Sequence, residues 1–308
     1  MNIVVCEFMD KPAVQSLSSR FEVTYDPGLV DRPDALEDAL AECHALIVRN
    51  RTQVTAALLD AAPRLRVVGR LGVGLDNIDV GACEARHIAV IPATGANAQA
   101  VAEYVIGAAW LLLRGLAAST AAVEIGAWPR SALSSGREIA GKTLGLVGFG
   151  SIGRVVARIA HALGMRVIGF DAMIGAPDDA WRDHAVTPRT FAEVMAEADV
   201  VSLHVPLTPA TRNLVDAERI ATMKRDAVLI NTARGGVVDE AAVAAALRAG
   251  RLGGAALDVF ATEPLAAGSP LAGCPNLLLT PHIAGVTRES NARVSAMIAA
   301  KVAEALTA

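Results

Sequence analysis

Three glycines and one acid at fixed spacing give this chain its first chemical reading. They lie in the stretch from Lys142 to Asp171, KTLGLVGFGSIGRVVARIAHALGMRVIGFD. Gly148 permits a tight turn, Gly150 lets the backbone approach a pyrophosphate, and Gly153 brings the following helix close to the strand. The N–H groups near Ser151 and Ile152, at the positive end of the helix dipole, would bind the phosphates. Asp171, about 20 residues beyond the turn, can accept both ribose hydroxyls of NAD and would repel the 2′-phosphate of NADP. Ala172, Met173 and Ile174 add no cation after it, so the expected cofactor is NAD.

Other reactive side chains are weaker signals when taken singly. His282, in TPHIAG, is of the type that moves a proton near neutrality, and it falls in a loop after a strand. Arg234, in NTARGG, carries the planar fork that clamps a carboxylate. An Arg before two glycines can equally cap a helix, and a Glu before Pro, such as Glu263, can equally be a turn residue. His44, His87, His161 and His184 read as structural or solvated. His204, in LHVPLT, either lines a nicotinamide pocket or satisfies backbone groups.

The elements that must hold these residues alternate. Short apolar runs at Ile3–Cys6, Glu22–Tyr25, Ala45–Val48, Val67–Gly69 and Ala89–Ile91 read as strands, with helical patterns between them. A long apolar helix is expected from Asn97 to about Arg114, too apolar for a surface helix and hence enclosed between domains. A Gly/Ser-rich loop then leads into the glycine turn. Further strands are expected at Val200–Leu203, Val228–Asn231, Ala255–Asp258 and Leu277–Leu279, with helices at Asp239–Arg248 and Val286 to about Ala305. Such alternation predicts an α/β fold of two doubly wound, Rossmann-like parallel-sheet domains. The first domain also places a glycine turn, LGVG, after a strand, but no terminal acid follows, so it reads as a substrate loop.

Composition narrows the class. At 308 residues the chain has room for two domains. Net charge is −4 without a basic run, which argues against a nucleic-acid partner. The longest apolar run, Tyr104 to Leu113, is far short of the roughly 20 residues of a membrane span. The N-terminus has no basic leader, and Cys6, Cys43, Cys83 and Cys274 form no CxxC pair, so a cytoplasmic protein with reduced thiols and no metal site is expected.

Four segments in this order, GRLGVGLDNID (69–79), GFGSIG, INTARGGVVDE (230–240) and DVFATEP with TPHIAGVT (258–264 and 280–287), resemble the D-isomer-specific 2-hydroxyacid dehydrogenases. The resemblance covers essentially the whole chain. It implies a discontinuous substrate domain, 1–96 with 285–308, an inserted NAD domain, 97–284, an active site in the interdomain cleft, and a homodimer joined through the NAD domains. It makes His282 the acid/base, Glu263 its carboxylate partner and Arg234 the substrate clamp. It adds the backbone around Val73 and Gly74 as carboxylate donors, and His204, Pro206, Thr232, Ala233, Asp258, Ala284 and Gly285 as cofactor contacts.

The substrate is then a small 2-hydroxy or 2-keto acid. Arg49, Asn50 and Arg51 follow a buried strand, and Arg70 follows another. Their guanidinium groups would suit a second anionic group on the substrate, or else bind helix ends and surface acids. VRNRT and GRLGVGLDNIDV look most like phosphoglycerate dehydrogenases, EFMD and ATGAN closer to (S)-sulfolactate dehydrogenases. The end of the chain just after the last helix leaves no room for an appended serine-sensing domain, which tilts the expectation slightly towards sulfolactate, or a small relative such as hydroxypyruvate or glycerate, with 3-phosphoglycerate still in view. A broad glyoxylate/hydroxypyruvate reductase, a phosphite dehydrogenase and a non-enzymatic NAD(H)-sensing corepressor are the alternatives.

Overall fold

The computed structural model describes residues 1–116 and 119–307, and of Ala121 the backbone alone. The N-terminal stretch alternates β1 (Asn2–Val5), α1 (Lys11–Ser18), β2 (Glu22–Tyr25), α2 (Pro33–Leu40), β3 (Cys43–Val48), α3 (Ala56–Asp60), β4 (Val67–Arg70), α4 (Val80–Ala85) and β5 (Ala89–Pro92). The long α5 (Ala98–Arg114) and the short α6 (Ser119–Glu124) follow. Next come β6 (Thr143–Val147), α7 (Ser151–Ala162), β7 (Arg166–Phe170), α8 (Asp179–Asp183), β8 (Thr187–Pro188), α9 (Phe191–Glu197) and β9 (Val200–Leu203). The remaining elements are α10 (Ala217–Thr222), β10 (Val228–Asn231), α11 (Glu240–Arg248), β11 (Gly254–Leu257), β12 (Leu277–Leu279) and α12 (Arg288–Thr307). They form two compact units, Met1–Asn97 with Val286–Ala308, and Ala98–Gly285.

The first unit is a parallel sheet of order β2-β1-β3-β4-β5. Its central strands are apolar on both sides because helices cover both faces. Ile3, Val5, Ala45, Ile47 and Val67 pack with α1 and α12, while Val4, Leu46, Val48 and Val68 share a core with residues of α2, α3 and α4. That division follows the two-residue period of a strand. Gly69 lets α12 settle on β4, since a Cβ there would lie 2.8 Å from Val302 and 2.9 Å from Ile298.

The second unit holds a seven-stranded parallel sheet of order β12-β11-β10-β9-β6-β7-β8. The chain reverses direction across the sheet between β6 and β9, the switch point where open α/β sheets bind ligands. Register aligns Val147, Leu203, Asn231, Leu257 and Leu279 across five strands. The next residue of each, Gly148, His204, Thr232, Asp258 and Thr280, therefore leaves the sheet along one edge.

Four sequence expectations need correction. Helix α5 is buried on one face only: it packs on α7 and the sheet, while Glu103, Gly107, Trp110 and Arg114 form an exposed stripe at helical spacing. The loop expected before the glycine turn contains α6 and a 3₁₀ turn at Ala132–Ser135. Helices α8, α9 and α10 fill stretches that apolar periodicity had left open. Each had a capping signal, strongest at Thr190, whose hydroxyl accepts the Glu193 N–H (3.3 Å) while Glu193 accepts the Thr190 N–H (2.8 Å). Helix α12 starts at Arg288 rather than Val286 because Thr287 Oγ1 accepts the Ser290 N–H at 3.0 Å.

Helix α9 lies against β6 at Gly145, where a Cβ would stand 2.7 Å from Val194 Cγ1 and 2.8 Å from Ala198 Cβ. Gly145→Val should overpack this contact and cost about 1–3 kcal/mol. A lowered thermal midpoint would report it; an unchanged midpoint would mean that α9 can shift freely.

Candidate active site

The glycine turn meets the requirements set by a dinucleotide. Gly148 has φ +98°, and a Cβ there would lie 2.4 Å from the His204 carbonyl oxygen. Gly153 needs its missing side chain to pass the Gly148 carbonyl, which a Cβ would approach to 2.6 Å. Gly150 differs, because nothing lies within 4 Å of a Cβ placed on it. It is the N-cap of α7, with Ser151 and Ile152 opening the helix, so free space and orphan amides coincide where a pyrophosphate would approach. Asp171 follows β7 and accepts the Phe149 N–H at 2.7 Å and the Met173 N–H at 2.8 Å. This carboxylate, expected from the sequence to meet a ribose, ties the turn to the next strand, a task its position in the sequence did not disclose.

Arg234 sits in a loop built by Asn231. That side chain is 1 % exposed, donates to the Arg234 carbonyl (2.9 Å) and accepts the Ala233 N–H (3.0 Å). Gly235 then passes so close to the FATEP loop that a Cβ would lie 1.8 Å from the Phe260 carbonyl oxygen. The loops of Arg234 and Glu263 are thus in backbone contact. Glu263 Oε1 accepts the Phe260 N–H at 3.1 Å, and Oε2 lies 2.8 Å from His282 Nδ1. His282 has φ +56°, and its N–H is shared between the carbonyls of Asp258 (2.8 Å) and Thr280 (3.1 Å).

Asp258 fixes this histidine loop. It is 1 % exposed, takes the Ile283 and Ala284 N–H groups at 2.8 Å on its two oxygens, and accepts the Thr280 hydroxyl at 2.6 Å. The Thr280 hydroxyl also meets the Tyr104 hydroxyl of α5 at 2.6 Å. Sequence analysis assigned Asp258, Ala284 and Gly285 to the cofactor; the structure shows Asp258 and Ala284 bonded to each other as a loop anchor. A carboxylate has about four acceptor positions, so three donors leave one.

Two buried polar atoms on the same sheet edge, His204 Nδ1 and Thr232 Oγ1, have no partner among the described residues. His204 Nε2 meets Ser202 Oγ at 3.0 Å. Burial of this kind calls for a partner, and a polar cofactor group would supply one. Ala233 is buried beside Thr232, Gly285 is half-buried, and Pro206 is exposed with its carbonyl accepting the Thr211 hydroxyl at 2.6 Å.

In the first unit, the Arg49 guanidinium donates to Asn291 Oδ1 at 2.9 Å and stands 5.7 Å over the Phe8 ring. Burial lowers its affinity for the proton, against the pull of Glu7. Arg51 pairs with Asp31 on the surface, and Asn50 is exposed. Arg70 donates to the Leu71 carbonyl at 3.1 Å, while Val73 and Gly74 are half-buried in the loop after β4.

Comparison with known proteins gives the family. The profile of the D-isomer specific 2-hydroxyacid dehydrogenase NAD-binding domain matches residues 106–284. The (S)-sulfolactate dehydrogenase of Chromohalobacter salexigens is 53 % identical over 99 % of this chain and 98 % of its own. A D-3-phosphoglycerate dehydrogenase of Haemophilus influenzae is 42 % identical over 87 % of this chain and 65 % of its own. The crystal structure of an Aquifex aeolicus D-lactate dehydrogenase with NAD and lactic acid superposes with a TM-score of 0.82 at 29 % identity, covering 100 % of this chain and 95 % of the other.

Burial holds the His204 imidazole neutral by lowering its pKa from 6.5 to about 4. The unfolded chain would bind a proton first. This histidine's contribution to stability is therefore complete above the unfolded value of 6.5 and is lost as pH falls from there towards about 4. One imidazole should fail to titrate between pH 8 and about 5 in an NMR series, and His204→Asn should remove that signal. Titration of all six histidines near 6.5 would refute the assignment.

Proposed function

The chain belongs to the D-isomer-specific 2-hydroxyacid dehydrogenases, and from that premise we propose that it interconverts a three-carbon 2-hydroxy acid bearing a second anionic group with its 2-keto acid. NAD is the cofactor; when bound, it supplies the hydride acceptor. The observation that carries the reaction is the 2.8 Å pairing of His282 Nδ1 with Glu263. With Nδ1–H given to the carboxylate, Nε2 presents its lone pair and can take the proton of the substrate hydroxyl as hydride leaves C2. Arg234 clamps the substrate carboxylate and polarises the C2 carbonyl in the reductive direction. By the family resemblance, the Val73 and Gly74 amides also receive the substrate carboxylate. Asp258, through the Ile283 and Ala284 amides, keeps the histidine loop in place.

For the second anion, the reading draws on Arg49, Asn50 and Arg51, at the carboxyl end of β3. The Arg51 pair with Asp31 is exposed on both sides, so solvent screens it and a substrate anion can replace it. The kinship with a sulfolactate dehydrogenase over nearly the whole chain favours a sulfonate over a phosphate. We further infer a homodimer through the second unit, where Trp110, Leu116, Val123, Ile125 and Trp128 are exposed, Ile125 and Trp128 to 84 % and 78 %. A reducing cytoplasm suits its free thiols, of which Cys6, Cys43 and Cys83 are buried.

Substrate choice is tested with NAD and a panel of sulfolactate, 3-phosphoglycerate, glycerate, D-lactate and phosphite. Sulfolactate should give the highest kcat/KM, and Arg51→Ala should erode that preference at least tenfold while leaving D-lactate unchanged. Better use of glycerate or lactate would make the enzyme a general hydroxyacid reductase, and use of phosphite alone would make it a phosphite dehydrogenase. His282→Ala and Arg234→Ala should each lower turnover by roughly two or more orders of magnitude. Because oxidation needs neutral His282 and reduction its protonated form, the oxidative optimum should lie at higher pH; coincident optima would remove His282 from the proton path.

A further inference from the structure

Glu7 lies two residues beyond the carboxyl end of β1 in the first unit and is 4 % exposed. A buried carboxylate is costly unless its charge is met, and here backbone amides meet it. Oε1 accepts the N–H groups of Arg49 (2.9 Å) and Thr52 (3.0 Å), and Oε2 those of Asn50 (3.3 Å) and Arg51 (3.2 Å). Burial opposes the charge, but the amides of Thr52, Arg49 and Arg51 outweigh it and hold the carboxyl below its usual range. Four successive amides turned to one point make an anion-binding nest, and the protein fills this one with its own side chain.

The carbonyl side of the same loop is also occupied. Asn77 is 8 % exposed and donates to the Thr52 carbonyl at 2.7 Å and the Arg49 carbonyl at 3.4 Å. A short parallel bridge between Val54 and Ile78 continues the connection. Asn77 lies three residues beyond Gly74 in the GVGLDN segment. The segment proposed to receive the substrate carboxylate and the loop proposed to receive its second anion are thus joined through one hydrogen-bonded assembly, with Glu7 at its centre.

We propose that Glu7 is a positioning residue for substrate specificity, which holds the Arg49–Thr52 loop at a set distance from the Val73–Gly74 segment. It touches no substrate. With the loop amides consumed, a distal sulfonate or phosphate must be met by the side chains of residues 49–51, whose reach depends on that backbone. A monoanionic acid does not use these side chains and is indifferent to Glu7. This inference rests on the reading of the substrate given above.

Glu7→Gln keeps the volume but turns an amide NH₂ towards two of the four N–H donors. It should lower the ratio of kcat/KM for sulfolactate over D-lactate at least tenfold, through KM for sulfolactate, while the Kd of NAD stays within twofold. Glu7→Asp, which keeps the charge, should recover part of the ratio. A folded Glu7→Gln with the wild-type ratio, or with equal losses on both acids, would overturn the role. Hydrogen exchange on the wild-type protein tests the clamp whether or not the variants fold: the amides of residues 49–52 should exchange at least 100-fold more slowly than open-loop amides without substrate, and unprotected rates would overturn it. A wild-type enzyme without preference for sulfolactate would sink the substrate reading and the specificity role with it. A preference that Glu7→Gln leaves untouched would sink the role of Glu7 alone.

Discussion

The loops that leave the carboxyl edge of a parallel sheet carry amides that no strand can satisfy, and in this protein carboxylates satisfy them, buried at Asp258 and Glu7 and half-buried at Asp171. Asp258 takes Ile283 and Ala284, Asp171 takes Phe149 and Met173, and Glu7 takes residues 49–52. An unpaired buried amide costs about 1–3 kcal/mol, and a charged acceptor binds it more strongly than a neutral one. Each acid therefore converts an irregular loop into a fixed one. The side chains proposed to do chemistry, His282 above all, ride on loops held in this way.

Steric fit adds a second constraint. Gly235 allows the Arg234 loop to pass against the Phe260 carbonyl, and Gly153 allows α7 to pass against the Gly148 carbonyl. These approaches leave no room for a Cβ, so the distance between neighbouring loops is set by backbone against backbone. Proximity is then a property of the sheet edge: the strands end in register, and the loops above them have few ways to sit. The Glu263–His282 pair is an outcome of that packing, since the two residues come from loops after different strands.

Polar groups left over inside this frame are informative because so few remain. His204 Nδ1 and Thr232 Oγ1 face the edge without a partner among the described residues, at the switch point of the sheet. Their neighbours, Asn231 and Ser202, are satisfied within the protein. A protein that pairs Asp258 three times while leaving these two atoms unpaired fits a frame built around a polar molecule such as NAD.

Much of this was legible in the amino-acid order. Apolar runs and the GFGSIG turn with Asp171 after it pointed to the sheets and the cofactor, and NTARGG, FATEP and TPHIAG pointed to the family, because those signals are local in the chain; the roles proposed for Arg234, Glu263 and His282 rest on that same resemblance. The capped helices α8, α9 and α10 escaped apolar periodicity because they are short and lie half on the surface, although Thr190 and Glu193 announced one of them. What the tertiary structure alone decided is which residues hold the site. Asn231 beneath Arg234, Asp258 beneath the histidine loop, and Glu7 beneath residues 49–52 act across separations of 3 to 45 residues. A buried acid and the amides it serves leave no periodic trace, since nothing but the folded path of the backbone brings them together.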